Sequence, residues 1–367
     1  MNRSQRILPV YTGDVSGACS ALFELGGMVV IHDPSGCNST YNTHDETRWY
    51  DHDSLIFISA LMERDAILGN DEKLVNDVVD AALELRPKFI ALCNSPIPFI
   101  TGTDFRALCK IVERRTGIPC FYVRTNGMHD YTVGAGGALA AIALRFVREK
   151  PHRKATLNIL GVTPLDFSED DAPETLRAFA EDAGFEVTSC WAIGSALEEM
   201  TAASEAAVNL VVSSTGIPAA RILHERFGTP YVVGRPHGAF SASLADALRA
   251  AADSGACAWP CRDLRVSVAS GTRCVVGEPV DAGSFAAACE LEGEPGVRVV
   301  CATESTYDLL SRQDVHAEGE EDVEAALAHA ELVYADALYA PVLLDGAHLV
   351  VRPHLAFSGR MAKPIVS

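Results

Sequence analysis

The sequence predicts an α/β fold of two or three Rossmann-like domains with mainly parallel sheets, the C-terminal one reduced. Three observations carry this. Short runs such as KFIALC (88–93), TLNILGV (156–162) and AVNLVVS (207–213) are almost uniformly apolar, as strands covered on both faces are. Between them lie segments with helical spacing, as in EKLVNDVVDAALELR, where Leu74, Val75, Val78, Val79 and Ala82 recur on one face. The two kinds alternate over most of the 367 residues, a length that suits two or three domains and strands joined by right-handed crossovers.

In chain order, MVVIHD (28–33) reads as a strand that runs into the turn Pro34-Ser35-Gly36-Cys37. The helix DFRALCKIVERRTG and the strand IPCFYV follow KFIALC, with Gly117 and Pro119 marking the helix stop and the restart. An apolar helix spans 134–149, and the charged PHRK at 151–154 closes a first domain, 1–152. The second, 153–255, repeats the alternation through PETLRAFAEDAG, FEVTSCWAI, ALEEMTAAS, PAARILHERFG, TPYVVG and FSASLADALRAAADSG. The last, 256–367, holds the strands RCVVGEP, VRVVCA, LVYAD and HLVVRPH and helices near 282–291 and 321–330, then a C-terminal tail. EGEEDVE (318–324), with five acids in seven positions, reads as a solvated helix start.

With 30 Lys and Arg against 49 Asp and Glu, the net charge of −19 argues against nucleic acid or an anionic membrane surface as partner. No apolar run approaches the roughly 20 residues that span a bilayer, and the first residues lack a signal peptide's apolar core, so a cytoplasmic protein is expected. GxxxxGK[ST] is absent, and VGAGGALA (133–140) lacks GxGxxG spacing, so its glycines read as a helix-packing device.

Chemistry concentrates near the N-terminus. The eleven cysteines contain no CxxC, so any metal site must be assembled from separate loops. Cys37 and Cys93 each follow or end a strand, where open α/β sheets bind ligands, and Cys19 lies in a helix behind Gly13 and Gly17, where free N–H groups would lower its pKa. Soft thiolates on separate loops suit an iron–sulfur cluster; buried inert thiols are the alternative. His32, His44, Asp45, Glu46, Arg48, His52 and Asp53 surround Cys37 in sequence. His32 and His44 are candidates for proton transfer and Arg48 for holding an anionic substrate, against core packing, turn capping and an internal ion pair. A zinc or iron site from His44, Asp45, His52 and Asp53 is a further alternative. His129 in NGMHDYTVGAGG follows a strand and is a candidate contact to substrate or to groups beside the cluster, against a structural turn histidine, and Arg235 with His237 in RPHG, near another strand end, are candidate anion or cofactor contacts.

Taken in order, these segments resemble the nitrogenase component 1 superfamily, which includes the molybdenum-iron protein subunits, their assembly-scaffold relatives and dark-operative protochlorophyllide reductase. Cys19 in GACSAL resembles the first cluster cysteine, Cys37 in IHDPSGCNST the second, with Asp33 in place of a usual glycine, and Cys93 in FIALCNSPIPFITGTDF the third. LMERDAILGNDEKLVNDV, LNILGV, FGTPYVVGRPHG and RPHLAFSGR extend the resemblance over most of the chain.

The resemblance implies that Cys19, Cys37 and Cys93 carry an iron–sulfur cluster, 4Fe-4S or a larger one shared between subunits. Asp33, another residue or a second chain would supply the fourth ligand, with Gly36 of the same turn as a further cofactor contact; Arg235 and His237 remain candidates from their place near a strand end alone. It also implies a homodimer or a paralogous heterodimer, electrons from a separate ATP-dependent iron–sulfur reductase, and a small molecule or a tetrapyrrole as substrate. The expected function is a nitrogenase-like reductase; a cluster or cofactor assembly scaffold, and a metal-free interaction protein that retains the fold, are the alternatives.

Overall fold

The computed structural model describes residues 5–34, 46–50, 52–167, 171–194 and 196–359. Its first region contains α1 (Asp14–Leu22), β1 (Met28–His32), β2 (Leu55–Ile58), α2 (Glu63–Leu68), α3 (Asp71–Leu85), β3 (Ile90–Asn94), α4 (Pro96–Thr101), α5 (Phe105–Thr116), β4 (Cys120–Val123) and α6 (Tyr131–Arg145). The strands form a parallel sheet of order β2-β1-β3-β4. Short β2 carries little apolar alternation and is absent from the sequence reading. The apolar stripe of α3 packs with Phe105, Leu108 and Val112 of α5 over one face.

The second region runs β5 (Thr156–Val162), α7 (Ala172–Asp182), β6 (Glu186–Ala192), α8 (Leu197–Thr201), β7 (Val208–Val211), α9 (Ile217–Phe227), β8 (Tyr231–Val233) and α10 (Phe240–Ser254), its parallel sheet ordered β6-β5-β7-β8. The third contains α11 (Pro260–Asp263), β9 (Arg273–Val276), α12 (Pro279–Leu291), β10 (Arg298–Cys301), β11 (Val315–His316), α13 (Glu320–Leu327), β12 (Leu332–Ala335), β13 (His348–Val351) and α14 (Leu355–Ser358). Its parallel sheet, ordered β11-β10-β9-β12-β13, has five strands, none longer than four residues. Parallel pairing explains the uninterrupted burial of β1, β3, β5 and β7, each covered by helices on both faces.

The order of each sheet places a topological switch at its centre, where successive connections leave in opposite directions and open a crevice beyond the strand ends. In the first sheet the switch lies between β1 and β3, in the second between β5 and β7, and in the third between β9 and β12.

One helix contact orients these crevices. Where α1 crosses α6, a Cβ on Gly17 would overlap the carbonyl of Tyr131, and one on Gly134 would overlap the carbonyl of Asp14. Gly134 of VGAGGALA therefore serves backbone approach, in line with the helix-packing reading of this segment. The start of α6 is fixed by Asp130, whose carboxylate accepts from Thr132 N at 2.9 Å, and by the 3.0 Å bond from Asp14 N to His129 O. The helix covers Tyr131–Arg145 instead of 134–149, because Asp130 caps it three residues earlier and Phe146 ends it.

Glu320, expected in a solvated helix start, is buried: its carboxylate accepts the N–H of Ile7 at 3.0 Å and binds the Arg6 guanidinium at 3.2 Å, holding the N-terminal segment against α13.

Gly134→Ala should destabilise the chain by about 1–3 kcal/mol through this backbone overlap. Gly137→Ala on the same helix meets only Val123 Cγ1 at 3.8 Å and should gain about 0.5–1 kcal/mol. Denaturant unfolding of the two variants measures both.

Candidate functional site

At the first switch point β1 ends in His32 and β3 in Cys93-Asn94, with His32 and Asn94 in register. Hydroxyls stitch this edge together. Ser95 Oγ donates to His32 O at 2.8 Å, Ser59 Oγ lies 2.7 Å from His32 Nδ1, and Asp33 N donates to Ser59 Oγ at 3.2 Å. His32 is buried against Phe105, and loss of hydration lowers its pKa, so the ring is neutral at pH 7.

Cys19 on α1 and Cys93 on β3 are both fully buried in one core cluster, and the Cys93 thiol acts on that of Cys19. Cys37 and Gly36 of the same proposed set, and His44 and Asp45, fall outside the described residues. The expected lowering of the Cys19 pKa is corrected: its pKa is raised well above that of a free thiol, first by the hydrogen bond with Cys93, then by burial and the charge of Glu46. Cys19 is the sixth residue of α1, beyond the N–H groups left open in the first turn.

Beside Cys19, Ser20 carries a polar clamp. Arg48 donates from Nε to Glu46 Oε1 at 2.8 Å, from Nη1 to Glu24 Oε1 at 2.8 Å and from Nη2 to Ser20 O at 2.7 Å, while Ser20 Oγ donates to Glu46 Oε2 at 2.9 Å. Burial opposes the charge of Glu46, and the Arg48 hydrogen bond overcomes it and holds the carboxyl below its usual pKa. Arg48 also faces Ala192 O at 3.4 Å and lies over the Phe23 ring. The residue read as a substrate contact thus fastens the polar clamp to α1 and to the edge of β6. Its ion pair follows the alternative weighed from sequence.

A second polar centre joins the crevices of the second and third sheets. Asp166, four residues after β5, accepts from Ser213 Oγ at 2.6 Å, from Thr163 Oγ1 at 3.0 Å and from the hydroxyl of Tyr131 at the start of α6. Glu278, two residues after β9, accepts from Ser214 N at 2.7 Å and from Val280 N and Asp281 N. Burial raises the pKa of Asp166 to about 6 and that of Glu278, also facing Asp166, to about 8. His354 lies beside them with Nε2 3.6 Å from Asp166 Oδ1, stacked on Phe357. Burial lowers its pKa to about 4, and neither ring nitrogen has a hydrogen-bond partner among the described residues.

Arg235 and His237 meet Asp281, at 3.1 and 2.8 Å, and Arg352 reaches the other oxygen at 3.0 Å. Burial opposes ionisation of Asp281, but Arg352, Arg235 and His237 prevail and hold it well below the usual carboxylate range. The cationic group read as an anion contact thus encloses an anion of the chain itself. His129 lies elsewhere again, exposed and 2.8 Å from Glu304, on a cavity of about 750 Å³ lined also by Leu8, Tyr11, Met128 and His316. Asp166, Glu278 and Asp281 were missed in the sequence; each follows a strand, TLNILGV or RCVVGEP, and the rule applied to Cys37 and Cys93 would have found them.

Among the described residues no group of three or more His, Cys, Asp or Glu is placed to hold a metal ion, and His52 and Asp53 are exposed. Two buried thiols in contact are soft donors that fit an iron–sulfur group, which would replace their protons with metal charge.

The family model for nitrogenase component 1 type oxidoreductases matches residues 14–255, from the start of α1 to the end of the second region. The chain belongs to this family. Among curated proteins it is 23% identical over 237 residues to the nitrogenase iron-molybdenum cofactor biosynthesis protein NifE of Klebsiella pneumoniae, covering 60% of this chain and 50% of that one. It is 23% identical over 221 residues to a subunit of the light-independent protochlorophyllide reductase of Nostoc punctiforme, covering 57% and 43%. The chain thus spans about half the length of the curated relatives it matches. The solved structure of nitrogenase Cp1 at pH 6.5 superposes with a TM-score of 0.66 at 16% identity, over 93% of this chain and 85% of that one, which shows a common fold. Members of the nitrogenase component 1 family bind iron–sulfur clusters. No described helix is long and apolar enough to cross a membrane.

Glu278 should make stability fall with pH. Its folded pKa of about 8 exceeds the ordinary 4.5, so its contribution is complete below about pH 4.5 and is lost as pH rises towards 8. The thermal midpoint of Glu278→Gln should decline less between pH 5 and pH 8 than that of the parent. Arg48→Met should cost about 3–5 kcal/mol in denaturant unfolding, because it leaves the buried Glu46 carboxylate without its cation.

Proposed function

We propose that this chain is a nitrogenase-like iron–sulfur oxidoreductase in which Cys19, Cys37 and Cys93 hold a cluster. The observation that carries the reading is the meeting of Cys19 and Cys93, 74 positions apart, as a buried thiol pair at the first switch point. Cys37, three positions after Pro34 in the sequence, lies outside the described residues and joins the set through the family resemblance. A 4Fe-4S cluster takes four ligands, so the fourth comes from Asp33, buried just after β1, from another residue or from a second chain. A homodimer or paralogous heterodimer would then bring two such sites together around a larger shared cluster.

When bound, the cluster supplies one-electron transfer; the electrons come from a separate ATP-dependent iron–sulfur reductase. The rest is done by residues of this chain. The buried helices around Cys19 and Cys93 exclude water. Arg48 and Glu46 keep α1 and the start of the 46–50 segment in place, so Arg48 acts as a positioning residue. His32, neutral and bonded to Ser59, holds the edge of β1 and can take up a proton at its ring. His129 and the cavity beside it offer a separate place for a small or tetrapyrrole substrate, whose identity turnover assays must supply.

The names of several matched relatives support a second reading, an assembly scaffold or carrier for a metallocofactor. Both readings place iron on the same cysteines. Sustained ATP- and reductase-dependent turnover with iron retained favours the enzyme, and stoichiometric transfer of iron and sulfide to an acceptor protein favours the scaffold.

Alanine at Cys19, Cys37 or Cys93 should remove iron and acid-labile sulfide in parallel, whereas Cys190→Ala, in the separate core of the second sheet, should keep both. Full retention of the cluster after all three replacements would exclude this ligand set.

A further inference from the structure

A second pair of thiols meets in the first region, on the helical layer that covers the opposite face of its sheet. Cys109 is the fifth residue of α5 and Cys120 the first of β4, eleven positions later, beyond the turn at Gly117. The two belong to one buried core cluster and line the same pocket, and the Cys109 thiol acts on that of Cys120. Cys19 and Cys93 are closed from solvent altogether, whereas Cys109 and Cys120 are each 6% exposed and line a surface pocket of about 400 Å³.

The rim of that pocket is cationic. Arg106 and Lys110 stand one turn apart on α5, Arg124 follows β4 and Arg145 ends α6. Glu113 is the one acid in the lining; it pairs with Arg145 and also accepts the N–H of Cys120 at 3.1 Å. Four cations less one acid leave +3 around the pocket, in a chain whose net charge is −19. Arg106, Lys110 and Arg124 make no ion pair or hydrogen bond among the described residues, so their charge is directed to whatever enters.

We propose that Cys109 and Cys120 form a dithiol–disulfide site that is oxidised by a small disulfide bearing anionic groups, held over the two thiols by the cationic rim. Burial, thiol contact, pocket and charge coincide here and at no other described cysteine. In the first step one cysteine sulfur, having released its proton, attacks a sulfur of the incoming disulfide. The incoming S–S bond breaks, a mixed disulfide forms, and one small thiolate leaves. The second cysteine releases its proton and attacks the protein sulfur of that mixed disulfide, forming the Cys109–Cys120 bond and expelling the second thiolate. The cysteines lose two protons and two electrons, and the small disulfide gains both to become two thiols. Whichever cysteine attacks first, the other resolves the mixed disulfide, so the balance is the same for either order.

The test uses the full chain, purified anaerobically, with two oxidants: the dianionic 5,5′-dithiobis(2-nitrobenzoate) and the neutral bis(2-hydroxyethyl) disulfide. Each rate is normalised to the same reagent's rate with free cysteine, and products are trapped by alkylation and mapped by mass spectrometry. Cys109 and Cys120 should be recovered joined, about two mass units below the dithiol. At low salt the normalised rate for the dianion should exceed that for the neutral reagent by about tenfold, and high salt or the exposed-residue variant Arg106→Ala/Lys110→Ala should bring the two together. Recovery of both cysteines alkylated, or only as separate mixed disulfides, would overturn the dithiol assignment. Equal normalised rates in the parent chain would overturn recognition of the anion.

Discussion

The crossing of α1 over α6 is the contact on which the arrangement depends. Gly17 and Gly134 let two helix backbones meet without intervening side chains, and this places Cys19, on α1, within reach of Cys93 at the end of β3. The same contact fixes the start of α6, from which Tyr131 reaches into the second sheet's crevice to donate to Asp166. Asp14, at the head of α1, accepts the N–H groups of Asn126 and Gly127 and so anchors the loop that leads into α6. A bulky residue at either glycine would move the thiol pair and the Asp166 centre together.

Electrostatics follows from where charge is buried. Arg48 and Glu46 are charged because each supplies the other's counterion and the remaining hydrogen bonds are met by Ser20 and Glu24. Asp281 is charged because the guanidinium groups of Arg352 and Arg235 and the ring of His237 enclose it. Glu278, surrounded by backbone donors but facing Asp166, has no cation beside it among the described residues and holds a proton at neutral pH. These centres are internally satisfied, so they position the crevices and leave binding to groups with unused capacity, chiefly the Cys19–Cys93 thiols and the nitrogens of His354.

Much of the fold was legible in the sequence because parallel strands covered on both faces leave unbroken apolar runs; β1, β5, β7 and β9 lie within runs read as strands, and β3 passes the end of its run only by Asn94. β2 and β11 were not, since one is half-exposed and the other has two residues. Cys19 and Cys93 were legible through their strand-end and helix positions together with the family resemblance, but their contact depends on a helix crossing that local pattern does not encode. Arg235 and His237 were recognised as chemically dense yet assigned to ligands, because Asp281, the acid they meet, stands 46 and 44 positions away. Partners at that separation become visible only in three dimensions.

The central claim is that the buried thiols of the first crevice are cluster ligands. It is tested most directly by quantifying iron and acid-labile sulfide in the anaerobically purified chain, with absorption spectra before and after dithionite. The account expects nearly equal iron and sulfide, about four of each per chain for one 4Fe-4S cluster or about half that for one shared by two chains, and bleaching on reduction. Reproducible absence of both from folded protein never exposed to oxygen would contradict it and leave a metal-free interaction protein with the fold of the family.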